Sequence, residues 1–77
     1  MKLFFDMANK VFVTCEKVKY IKYEENTSTL EIGFKSESMY RYFEVPQEIY
    51  TSFLEAPSKI EFFETQIKDQ YRFSKYR

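Results

Sequence analysis

The period of the apolar residues changes once along this chain, at Pro46, and that change restricts the fold. Before it, residues 29–35 (TLEIGFK) alternate strictly, with Leu30, Ile32 and Phe34 on one side and Glu31, Gly33 and Lys35 on the other. A period of two is a strand with one buried face. Residues 39–45 (MYRYFEV) form a third strand, with Tyr40, Tyr42 and Glu44 on one face and Met39, Arg41, Phe43 and Val45 on the other. By apolarity Phe43 and Val45 are better core candidates than the tyrosines. After Pro46, which suits the first turn of a helix, Ile49, Phe53 and Leu54 make a helical stripe with Tyr50 beside it, running to about Ala56. Pro57 stops that helix. Residues 58–61 (SKIE) then read as a capping box, with Ser58 at N-cap and Glu61 three positions on. Ile60, Phe63 and Ile67 carry a second helix to about Lys68.

The earlier stretches are less regular. Residues 10–15 (KVFVTC) predict a short strand. In residues 17–23 (KVKYIKY) the spacing of Val18, Ile21 and Tyr23 breaks strict alternation, which predicts a bulge or a late strand start. Residues 24–29 form a turn in which Asn26 is suited to a positive φ. The 36–38 connection (SES) has no glycine, so one of its residues takes an awkward dihedral. The prediction is one α+β domain over residues 1–77: a three- to four-stranded antiparallel meander followed by two short helices packed on one face. A small meander cannot bury its apolar side alone. The tail (YRFSKYR) alternates aromatic and basic residues and carries no end signal.

Composition narrows the chemistry. There is no histidine, which removes the commonest general base and metal ligand near neutral pH. The single cysteine, Cys15, has only Glu16 beside it as a base, and neighbours on a strand point to opposite faces, so it reads as an inert thiol. The glutamates are dispersed rather than clustered for a metal. No enzyme, cofactor, metal or membrane association is expected, and the lone cysteine fits a reducing cytoplasm. The net charge is zero, but residues 1–23 carry +3, residues 24–67 carry −6 and residues 68–77 carry +3. If the basic ends meet in space, they form one basic edge.

The order of these pieces resembles the KTSC domain family. The similarity runs over residues 13–73 or so. It rests on Leu30, Ile32 and Phe34, on Tyr40–Arg41–Tyr42, and on Val45, Pro46, Ile49 and Tyr50. It continues through Leu54 and Ala56, Ser58–Lys59, Phe62–Phe63, Ile67 and Tyr71. Departures fall at Cys15 and Glu16, at Ile60 where the family has glycine, at Glu64 where it has asparagine, and at Arg72 in the tail. The family occurs as small bacterial and phage proteins and at the C-terminus of some lysyl-tRNA synthetases. That fusion implies RNA as a partner, although the family's role is not established.

Two kinds of partner fit the residues. Single-strand nucleic-acid binders combine stacking aromatics with a basic groove. Tyr40, Tyr42 and Tyr20 would supply the platform. Arg41, Lys17, Lys19, Lys22, Arg72, Lys75 and Arg77 would supply the charge. Alternatively, nine Phe and seven Tyr exceed what one small core usually hides, which fits a protein partner, such as a host factor for a phage-type protein, or a homodimer.

Overall fold

The computed structural model of the chain describes residues 4–5, 10–13 and 17–76. Its strands are β1 (Phe4–Phe5), β2 (Lys10–Phe12), β3 (Val18–Glu24), β4 (Thr29–Phe34), β5 (Met39–Tyr42) and β6 (Phe73–Lys75). They form one sheet in sequence order, with every neighbouring pair antiparallel. Helices α1 (Gln47–Glu55) and α2 (Lys59–Phe62) separate β5 from β6. The α+β class therefore holds, but among the described residues the sheet has six strands rather than three or four. The predictions about Cys15 and Glu16 lie outside the described residues.

Local expectations are met where backbone chemistry is distinctive. The β3–β4 register shifts between Val18 and Tyr20, an irregularity that fits the first of the two alternatives, a bulge or a late strand start, that the spacing left open. Glu37 carries a φ of 73° in the glycine-free connection. In the β3–β4 turn the left-handed residue is Ser28, with φ 53°, not Asn26. Pro46 sits at the N-cap of α1. Its carbonyl accepts from Ile49 N–H at 3.0 Å, so the missing N–H costs the helix nothing. Ser58 caps α2 by accepting from Glu61 N–H at 3.2 Å. From Phe63 to Ile67 the helix widens into a π-turn, closed by Lys68 N–H donating to the Phe63 carbonyl at 2.8 Å.

The core lies between one sheet face and the helices. Val11, Ile21, Leu30, Ile32 and Tyr42 meet Phe53, Leu54, Phe63 and Ile67 there. β5 turns its tyrosine face to the core, against the preference for Phe43 that apolarity gave, while Val45 is buried as that ranking expected. Tyr42 is fully buried and Tyr40 half-buried on the helix side, whereas Phe43 is only half-buried. Apolarity misleads here because a tyrosine ring buries as much area as phenylalanine while its hydroxyl stays near the rim. Val45 reaches the core by a different route. Glu44 adopts φ 56°, which turns the chain, and Val45 N–H then donates to the Ser28 carbonyl at 2.9 Å. The Tyr23 hydroxyl donates to the Val45 carbonyl at 2.6 Å, and its ring stacks on Tyr50 at 4.8 Å. This junction ties β3, the turn before β4 and the start of α1 together.

Candidate nucleic-acid interface

Strand register sorts the candidate residues into rows. Ile32, Tyr40 and Lys75 lie across one another on the helix side, and Leu30, Tyr42 and Phe73 form the next such row. Between them, on the open side, run Lys22, Glu31, Arg41 and Ser74. Tyr40 and Arg41 are adjacent in sequence and therefore face opposite ways. They cannot belong to one stacking platform.

On the helix side the sheet extends past the helices, leaving a groove of about 590 Å³. Phe34, Tyr40, Phe63 and Phe73 give it apolar walls, and Lys68, Lys75 and Asp69 give it charge. The Phe73 ring lies 5.7 Å from Tyr40 and 5.4 Å from Tyr42, yet Phe73 remains 49% exposed at the groove. The Lys75 ammonium sits 5.8 Å from the Tyr40 ring. Burial, with Tyr40 and Asp69 nearby, pushes the Tyr42 hydroxyl up to about 12, so it stays protonated beside the groove.

The open side is organised around a buried carboxylate. Glu31 accepts from the Tyr20 hydroxyl at 2.7 Å and from Arg41 Nε at 2.9 Å. Burial opposes its ionisation, but hydrogen bonds from Tyr20 and Arg41 and the charge of Lys22 outweigh it and hold the carboxyl below its ordinary value. Arg41 also lies over the Tyr76 ring at 4.7 Å. Tyr20 is buried here, with its ring against Gly33 and the Lys10 ammonium 4.5 Å from its centroid. It is part of a packed polar cluster rather than a stacking surface.

The structure thus brings Tyr40, Tyr42 and Lys75 together on the helix side. It gathers Tyr20, Lys22 and Arg41 around Glu31 on the open side, and sets Lys17, Lys19 and Arg72 apart from both. Tyr42 is 1% exposed and so belongs to the groove's floor, out of reach of a stacked base. Arg41 is committed to Glu31, and Arg72 lies over the Phe43 ring at 5.6 Å. Lys17 and Lys19 are exposed at the start of β3, with β4 and β5 between that strand and β6. Among the described residues the basic ends therefore do not merge into one edge; Lys2 and Arg77 lie outside them. Sequence reasoning missed Phe73 and Lys68. The alternation of residues 71–76 was the available signal, since a strand there places Phe73 and Lys75 on one face.

Among the described residues no cluster of three or more His, Cys, Asp or Glu side chains could hold a metal ion, and no helix is long and apolar enough to cross a membrane. Residues 16–71 match the KTSC domain family. A solved KTSC domain protein from Yersinia pestis is similar, with a TM-score of 0.85 and 29% identity over 88% of this chain and 96% of that one. A lysine–tRNA ligase from Nostoc punctiforme is 41% identical over 56 residues. One from Nostoc sp. (strain PCC 7120 / SAG 25.82 / UTEX 2576) is 39% identical over 56 residues. These matches take in 73% of this chain but only 10% of each ligase.

Proposed function

The chain belongs to the KTSC domain family, and from that premise we propose a small non-enzymatic module that binds single-stranded nucleic acid, RNA first, in the groove beside β6. The observation that carries this reading is the half-exposed Phe73 ring beside Tyr40, with Lys68 and Lys75 on the same groove. A base stacks on an aromatic face whatever its identity, and ammonium groups at the rim meet the adjoining phosphates. A groove of about 590 Å³ holds a base with its sugar and phosphate, not a long strand. The similarity to a segment of lysine–tRNA ligases supports RNA over DNA.

Among the described residues two cations line the groove, so the electrostatic share of binding is small. For single strands each neutralised phosphate contributes about −0.7 to the slope of log K against log salt, giving about −1.4 here. Fluorescence anisotropy with a short single-stranded RNA, titrated across salt, tests this. Phe73→Ala should weaken binding by about 5- to 150-fold, the loss of one stacked base. Lys75→Gln should weaken binding and flatten the salt slope by about half. No binding at low salt, or binding untouched by Phe73→Ala, sinks the proposal. The other reading of the sequence, a protein partner, would use the free edge of β6 instead.

A further inference from the structure

β6 ends the sheet, and among the described residues nothing pairs with its outer edge. In an antiparallel ladder, residues alternate between those bonded to the neighbouring strand and those whose N–H and C=O point away. Phe43 N–H donates to the Arg72 carbonyl at 2.9 Å, and Tyr76 N–H donates to the Met39 carbonyl at 2.7 Å. Arg72, Ser74 and Tyr76 therefore bond toward β5. Phe73 and Lys75 turn their backbone groups outward. No proline or bulge interrupts this edge; its three-residue length and Lys75 are the protections it carries, and in the pairing below that lysine meets an aromatic ring.

The side chains along that edge are complementary to their own reversal. Arg-Phe-Ser-Lys-Tyr, residues 72–76, placed antiparallel to a second copy about Ser74, sets every aromatic opposite a cation. Arg72 meets Tyr76 of the second copy, and Phe73 meets its Lys75. The same pairs repeat across the axis. Cation–π pairing already occurs within one chain at these residues, between Arg41 and Tyr76 and between Lys75 and Tyr40. The register also satisfies the backbone. A centre at Ser74 makes Phe73–Lys75 the hydrogen-bonded pairs, and these are the two residues with outward N–H and C=O groups.

We propose that β6 is a two-fold dimerisation edge, in which a second copy of this chain pairs antiparallel about Ser74 to give one continuous sheet. Such an interface is isologous and closes at two subunits. One short strand buries less than a standard interface, so the dissociation constant should lie on the order of 10–100 µM. The dimer sets the two aromatic grooves side by side. Its existence does not depend on nucleic acid.

The test uses the full chain without nucleic acid. Sedimentation velocity from about 10 µM to 1 mM should show the mass rising toward two chains. In a Cys15→Ser background, Ser74→Cys places the two sulfurs across a close, non-hydrogen-bonded pair, where Cα atoms lie about 4.5 Å apart and a disulfide fits. Oxidation should cross-link it at least about tenfold faster than Lys75→Cys, whose sulfur faces Phe73 rather than its own copy. Phe73→Lys sets lysine opposite lysine and should give a monomer, while the swap Phe73→Lys with Lys75→Phe restores the pairing and the dimer. Thermal unfolding of each variant shows that the fold is retained. A monomer at 1 mM, equal cross-linking of the two cysteine variants, a dimeric Phe73→Lys, or no rescue by the swap would each overturn the proposal.

Discussion

The chain's single glycine and one buried carboxylate explain each other. Tyr20 lies across from Gly33, and a Cβ at that position would collide with the tyrosine ring. Glycine lets the ring lie flat over the strand, and only then does the hydroxyl reach Glu31. Gly33→Ala should lift the ring, break that hydrogen bond and cost about 1–3 kcal/mol in chemical denaturation. Glu31 then makes stability depend on pH. Its folded pKa lies below the ordinary 4.5, so its contribution is complete above that value and is lost as pH falls through the folded one. Glu31→Gln has no such charge to lose. The wild-type advantage over Glu31→Gln should be largest near neutral pH and shrink once the pH drops below 4.5, as measured by urea midpoints at several pH values. A constant gap would mean that the carboxylate is not held by Tyr20 and Arg41.

The elements that could be read from sequence are those with one apolar face. The alternation of residues 29–35 and the helical stripe of Ile49, Phe53 and Leu54 both mark a side that must be buried, and both elements formed, although β4 is buried on its Glu31 and Gly33 side as well. β6 has no such side, because Phe73, Ser74 and Lys75 are all exposed, and β1 is only two residues long. Orientation was harder to read than existence. Tyr40 and Tyr42 lie on the helix side, across from Ile32 and Leu30, where Phe63 stands 5.7 Å from Tyr42 and 5.5 Å from Phe34, a contact that no local pattern announces. The Ser58–Lys59 pair proves to be a hinge between helices. Ser58 caps α2, and the buried Lys59 donates to the Ala56 carbonyl at 2.6 Å, satisfying the end of α1. Ser58→Ala should therefore lower stability by about 0.5–2 kcal/mol with the fold intact, visible as a lower Tm. An unchanged Tm would show that the cap is dispensable and that Lys59 alone holds the hinge.

At the scale of the whole molecule, the sheet is a local meander closed by one long return. Each strand from β1 to β5 pairs with its sequence neighbour, whereas β6 comes back across both helices to reach β5. Long-range pairing of three exposed residues adds little burial of its own, so β6 should open well before the rest unfolds. Its closure nevertheless shapes the groove, since Phe73 covers the rings of Tyr40 and Tyr42. Removing residues 72–77 should leave a folded domain whose β5 is now the edge. Burial is the main reason that Tyr42 ionises at about 12, so losing that cover should bring it back toward the ordinary 10.0. The sign is fixed: water reaching the hydroxyl stabilises the phenolate and lowers the pKa. An ultraviolet titration of tyrosine ionisation measures this, with the far-ultraviolet spectrum reporting that the sheet persists. Amide exchange gives the companion result in the intact chain, with Tyr76 N–H exchanging by local opening and Ile21 and Ile32 only by global unfolding. If the truncated chain keeps its late-ionising tyrosine, the helices alone bury Tyr42 and the groove owes nothing to the returning strand.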